Sequence, residues 1–173
     1  MKRMAALACA VAAALTGAAQ VTNGVWKGTG SPALWSTPAN WNDEEIAHGG
    51  GSATFIKSDG IATTVSNDIP DLVIGDMTFS GDNWTIRSEA PVTFAGGADT
   101  TNTLNVTTGN SANFAFPIGA GDSTLHKTGT GYINISATNH AFTGRWVVHT
   151  NRLELKSGTS LRDRKSTRLN SSH

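Results

Sequence analysis

The sequence predicts an all-β chain wound as a β-solenoid, and three observations carry that prediction. Gly, Thr, Ser and Asn together supply 70 of the 173 residues, and the charged fraction is only 15%. Small polar and β-branched residues favour extended chain and turns, whereas a helical bundle or coiled coil is rich in Ala, Glu, Lys, Leu and Arg. So low a charge also leaves little repulsion to keep the chain open and disordered. Second, apolar residues alternate with polar ones in short runs, the period of a strand that buries one face. No window repeats them at i, i+3, i+4 and i+7 over three turns, which is the stripe of a helix. Third, the runs are mostly three to five residues long, at the short end for strands; many short strands at close spacing allow a sandwich, an antiparallel barrel or a β-solenoid. Sandwich strands are usually longer. A solenoid coil needs only a few residues per side, because its inward side chains stack on those of the next coil.

The two ends stand apart from the fold. Lys2 and Arg3 precede an uncharged run over residues 4–15, and Thr16, Gly17, Ala18 and Ala19 supply the small residues a signal peptidase reads. Residues 1–19 are therefore expected to be a secretory signal peptide cleaved before Gln20. The apolar run is too short to be a membrane span, which takes roughly 20 residues. Cys9, the single cysteine, leaves with the signal, so no disulfide, thiol nucleophile or cysteine metal site is expected in the mature chain. Residues 163–173 read, codon by codon, as a short-read sequencing adapter. They are expected to be an artefact tail, with the natural protein continuing past Arg162. From Gln20 to Arg162 the chain holds 8 Lys and Arg against 12 Asp and Glu, a net charge of −4. That mildly acidic balance gives no footprint for a phosphate backbone, and no nucleic-acid partner is expected.

Along the mature chain, residues 20–60 read as an N-terminal cap, with Trp26, Trp35 and Trp41 placed to cover a first coil. The one helix candidate, residues 42–46, is a single turn at most. Coils are expected over 61–162. Strands are read at 53–57, 61–65, 72–74, 77–79, 84–87, 92–94, 103–106, 113–118, 123–126, 132–135, 146–148 and 153–155. Gly-, Asn-, Asp- and Ser-rich breaks separate them, such as Gly75-Asp76, Gly96-Gly97 and Gly119–Asp122. Phe79, Phe94, Phe114 and Tyr132 recur at spacings of 15, 20 and 18, which reads as a degenerate solenoid repeat. Gly129 and Gly131 flank a corner where positive φ is expected, which costs glycine nothing. Asn139 is placed to cap a turn or join an Asn ladder between coils.

One stretch resembles a known repeat. Leu125, Lys127, Gly129, Gly131, Ile133 and Ile135 are followed by Asn139, Phe142, Thr143 and Gly144, then by Val147, Leu153 and Leu155. In that register residues 125–155 are similar to the autotransporter-associated β-strand repeat. His149, Thr150, Asn151 and Arg152 depart from it, because a glycine usually precedes the last leucine, and Arg145 replaces a small residue. Trp26–Gly30, Leu34-Trp35, Asn40–Asn42 and Ala53–Phe55 resemble the opening segment of large secreted proteins that carry the repeat. The resemblance implies a right-handed parallel β-helix passenger, secreted or displayed on a bacterial cell surface, associated with the outer membrane in the full-length protein. It implies structural roles for Lys127, Gly129, Gly131, Asn139, Phe142, Thr143 and Gly144, and no enzyme activity.

Chemistry-bearing groups are sparse. His48, His126, His140 and His149 lack the spacing of a metal motif. There is no Gly-x-Ser-x-Gly elbow and no Gly-x-x-x-x-Gly-Lys phosphate cradle. Asp43, Glu44 and Glu45 lie in one loop, whereas a glycosidase needs two carboxylates facing across a cleft. Asp76, Asp82, Asp99 and Asp122 sit in Gly-rich turns, where turn preference explains them. Trp26, Trp35, Trp41 and Trp84 could form a platform for a sugar ring, with Trp26, Trp35 and Trp41 the candidate glycan contacts, but core and cap packing is the better account, because aromatics supply much buried area. The expected function is therefore a structural or adhesive β-helix segment without catalytic activity or cofactor, whose partners are extracellular glycans or cell-surface components and which does not span a membrane. A polysaccharide-lyase-like β-helix and a carbohydrate-binding β module are the alternatives.

Overall fold

The computed structural model describes residues 20–29, 32–57, 63–107 and 109–156; the expected signal peptide and the adapter-like tail lie outside the described residues. Thirteen strands follow one another: β1 (Gly24–Trp26), β2 (Ala53–Ile56), β3 (Thr64–Ser66), β4 (Val73–Ile74), β5 (Met77–Ser80), β6 (Trp84–Arg87), β7 (Thr93–Phe94), β8 (Thr101–Val106), β9 (Ser111–Ala115), β10 (Thr124–Thr128), β11 (Tyr132–Ile135), β12 (Arg145–Val148) and β13 (Leu153–Leu155). Two 3-10 turns, Pro38–Asn40 and Asn42–Glu44, complete the regular structure of the described residues.

Every named strand pairs in parallel with a strand one coil away. The order β1-β2-β5-β8-β10-β12 makes one side, β3-β6-β9-β11-β13 the second, and β4-β7 the third. Single bridges, Val92 to Ile118 and Gly121 to Phe142, carry the third side to later coils. The result is the expected β-solenoid, of about 4 turns. Parallel neighbours are possible because each coil separates them by a full circuit, the long connection that parallel pairing requires.

Register turns the alternation of the sequence into columns. Trp26 sits over Phe55, Phe55 over Phe79 and Phe79 over Val106. On the second side Val65, Ile86, Phe114, Ile135 and Leu155 form another column. The Phe55 and Phe79 rings stack at 5.0 Å, only 5° from parallel. Each such buried side chain stabilises the stack by roughly 1.5–3 kcal/mol, and none could be buried by a lone coil.

Several expectations are refined. Phe79, Phe94, Phe114 and Tyr132 do not share a column: the first three lie on three different sides, and Tyr132 is only partly buried, with the Arg152 guanidinium 4.7 Å above its ring. β1 was not expected, since a three-residue run of Gly, Val and Trp carries no alternation. β1 and β2, both inside the expected cap, already belong to the six-stranded side. β9 ends at Ala115 rather than at residue 118, where Phe116 and Pro117 turn the corner and Pro117 has no N–H for a ladder. β8 begins two residues earlier than the apolar pattern, because its inward position is filled by Asn102, whose amide donates to the Ala95 carbonyl at 2.8 Å and the Ser123 hydroxyl at 3.2 Å.

Candidate functional site

The residues singled out in the sequence gather at two places, one at each end of the stack. At the first end, Trp26, Trp35 and Trp41 are buried. Trp41 meets Trp26 and Trp35 edge-on, with ring centroids 5.1 Å apart in both pairs, and all three rings lie against Phe55. The two indole N–H groups of Trp35 and Trp41 donate to the carbonyls of Ala47 at 2.9 Å and Trp35 at 2.7 Å. Buried Asn40 ties the segment together by donating to the Leu34 carbonyl at 3.0 Å. A sugar platform needs an exposed ring face, and here the faces are spent on the first coil. The cluster is a lid.

At the other end, the repeat-like residues build the corners that join the last two coils. Lys127 occupies an inward position in the column Gly24, Ala53, Met77, Leu104, Lys127 and Val148. It is fully buried. Its ammonium donates to the Gly131 carbonyl, to the Gly129 carbonyl at 2.5 Å and to the Thr150 carbonyl at 3.1 Å. Three N–H donors meet three backbone acceptors, so the charge is solvated by the chain instead of by water. Burial lowers the Lys127 pKa from its usual 10.5.

The glycines make that cradle possible. Gly129 has φ 69°, in the left-handed region, and a Cβ there would stand 2.3 Å from the Val106 carbonyl oxygen. A Cβ on Gly131 would stand 2.5 Å from both the Thr107 oxygen and a Val106 methyl. The next coil locks onto the same corner: the Thr150 hydroxyl donates to the Gly129 carbonyl at 2.7 Å and the Asn151 amide to the Thr130 carbonyl at 2.6 Å. A Gly–x–Gly corner thus presents its carbonyls inward to a lysine and along the axis to the following coil.

The second half of the motif forms the opposite corner. Phe142 is buried and bridges Gly121, and the Thr143 hydroxyl and backbone N–H both donate to the Gly121 carbonyl, at 3.1 and 2.8 Å. Gly144 passes so near Ser123 that an added Cβ would stand 2.0 Å from its carbonyl oxygen. Asn139 is exposed with φ 62°, so it serves the turn, and the facing amides lie instead at Asn113 and Asn134 on the second side.

His140, next to it, was missed as a structural residue. It is buried; Nδ1 accepts from the Ile118 N–H at 3.0 Å and Nε2 stands 3.0 Å from the Ala137 carbonyl. Those partners fix a neutral ring with its proton on Nε2. Desolvation lowers its pKa below 6.5, against a smaller upward pull from the Ala137 carbonyl. The contribution to stability is therefore complete above pH 6.5 and is lost as pH falls through the lowered folded value, because the unfolded chain there binds the extra proton. The urea midpoint is expected to drop between pH 7.5 and pH 5, and to drop less in His140→Gln.

Two open depressions share one corner, lined by Ser66, Arg87 and Glu89 and by Asp68, Pro70 and Ala90, with Asn67 between them. Asp43, Glu44 and Glu45 form an exposed turn, and the Asp76 carboxylate accepts from the Thr103 N–H at 2.6 Å. No protein-family model, curated protein or solved structure matches the chain.

Proposed function

We propose that the chain is a segment of a secreted or surface-displayed β-helix whose role is mechanical, holding an adhesive or otherwise functional part away from the cell, with no catalytic activity of its own. The observation that carries this reading is the stack of buried inward side chains from the Trp lid through the coils, which hold the coils together, the apolar ones by packing and polar ones such as Asn102 and Lys127 by hydrogen bonds. Ligand sites are concave and largely apolar with a few converging polar groups, and the two depressions beside Asn67 are open to solvent. The signal-like residues 1–19 and the repeat-like residues 125–155 support export as a passenger.

Trp26, Trp35 and Trp41 cover the first coil, and Val148 and Leu155, each 42% exposed, continue the inward columns of the described residues. The outer face carries polar columns such as Thr54, Thr78, Asn105 and Thr128, suited to extracellular glycans or other cell-surface components as partners.

Antibody against the coils is expected to label intact producing cells, and external protease to remove that label; label that appears only after permeabilisation would overturn export. A spacer also tolerates a change of length. Excising residues 77–103 puts Leu104 where Met77 stood, the partner that register already gives it. Display and the far-UV spectrum are expected to survive. Their loss would favour a role that depends on one particular coil.

A further inference from the structure

We propose that His126 and His149 form a two-histidine site for a divalent transition metal, Cu(II) or Ni(II) first, that clamps the last coil onto the one before it. His126 lies on the outer side of β10, and His149 directly follows β12. Their backbones are joined by the parallel ladder, in which the His149 N–H donates to the Lys127 carbonyl at 3.0 Å. His126 Nδ1 and His149 Nε2 stand 2.8 Å apart, and the ring centroids are 4.8 Å apart. Without metal the two rings are joined by a hydrogen bond between these nitrogens.

The same separation suits chelation. Two imidazole nitrogens, each about 2.0 Å from one ion and 2.8 Å from each other, subtend roughly 90° at it, the cis angle of a tetragonal Cu(II) or Ni(II) centre. His149 is exposed and His126 half-buried, so a small turn of each ring brings the lone pairs together at little cost. On β8, β10 and β12 the one charged residue of this face is Arg145, and the Asp76 carboxylate, beside Thr103, is engaged by the Thr103 N–H at 2.6 Å. Thr101, Thr103, Asn105, Thr124, Thr128 and Val147 make up the rest of this face on β8, β10 and β12, and none is a carboxylate. Calcium and magnesium, which take oxygen ligands, are therefore poor candidates, and imidazole selects the later transition metals. Among the described residues no group of three or more His, Cys, Asp or Glu gathers, so the protein supplies two ligands and water completes the shell.

The experiment titrates the full chain with CuCl2 and, separately, NiCl2 at pH 7.5, following heat and, for copper, the electron paramagnetic resonance signal. One equivalent is expected to bind with nitrogen ligation. His126→Ala and His149→Ala should each weaken it by at least about tenfold, while His48→Ala and His173→Ala leave it unchanged. The thermal midpoint should rise with metal in the wild type and not in the two site variants, because the ion binds only where both coils are folded. Both site substitutions fall on side chains outside the core, and an unchanged far-UV spectrum checks that they fold. Equal binding by the wild type and the site variants would overturn the proposal, as would tight binding without any rise in the midpoint.

Discussion

Replacing Lys127 with alanine is expected to lower the unfolding free energy by about 3–5 kcal/mol, since it opens a cavity and strips a buried acceptor of its donor. The ammonium meets the carbonyls of Gly129, Gly131 and Thr150 at once, and of these the Gly131 bond is the fully buried one. Lys127→Met keeps the volume of the side chain and removes only the donors, so it should fall between wild type and alanine. Urea denaturation gives the magnitude. Hydrogen exchange gives the place: β12 and β13 should lose protection first, because the corner they dock on has lost its tie, while β2 and β5 keep theirs. An unchanged stability in both variants would mean that water serves the three carbonyls as well as the lysine does. A pH series adds a further check. Burial lowers the Lys127 pKa below 10.5, so in the window between that lowered value and 10.5 the unfolded chain holds the proton more firmly. Stability should climb with pH there, and Lys127→Met should flatten the climb.

Trp41→Ala is expected to cost a similar amount, about 3–5 kcal/mol, at the opposite end. Trp41 touches Trp26, Trp35 and Phe55 and is fully buried. Its loss removes the hydrogen bond to the Trp35 carbonyl and opens the first coil to water. Solenoid stability is a sum of coils and nearest-neighbour contacts, so the damage should be local: protection falls in β1 and β2 and persists in β9 and β11. An uncovered parallel edge also invites pairing with another chain, and light scattering should detect self-association that the wild type lacks. Trp41→Phe retains part of the ring and should lose less. A Trp41→Ala protein as stable as wild type and still monomeric would show that the lid is dispensable.

The fold class was legible because alternation and register obey the same period. Six-residue stretches such as 101–106 place every second side chain inward whichever coil lies above or below. β6, β11 and β13 appear where the pattern alone puts them. Errors occurred where an inward position is polar, as at Asn102, or where a corner follows without a break, as at Phe116. The lid was legible as three tryptophans in a cap, but its closure was not: only contacts at 5.1–6.2 Å show that no ring face is left outside.

Composition and period by themselves determined that this chain is β throughout, that its strands are short and that its core is a pile of inward residues. Those properties are local, set by backbone preference and by which side of a strand each residue takes. Only the tertiary structure decided which residue lies over which, because that depends on the length of each circuit between coils. That choice buries Lys127 among apolar neighbours, brings three carbonyls to its ammonium, and sets two histidines 23 residues apart within 2.8 Å of each other.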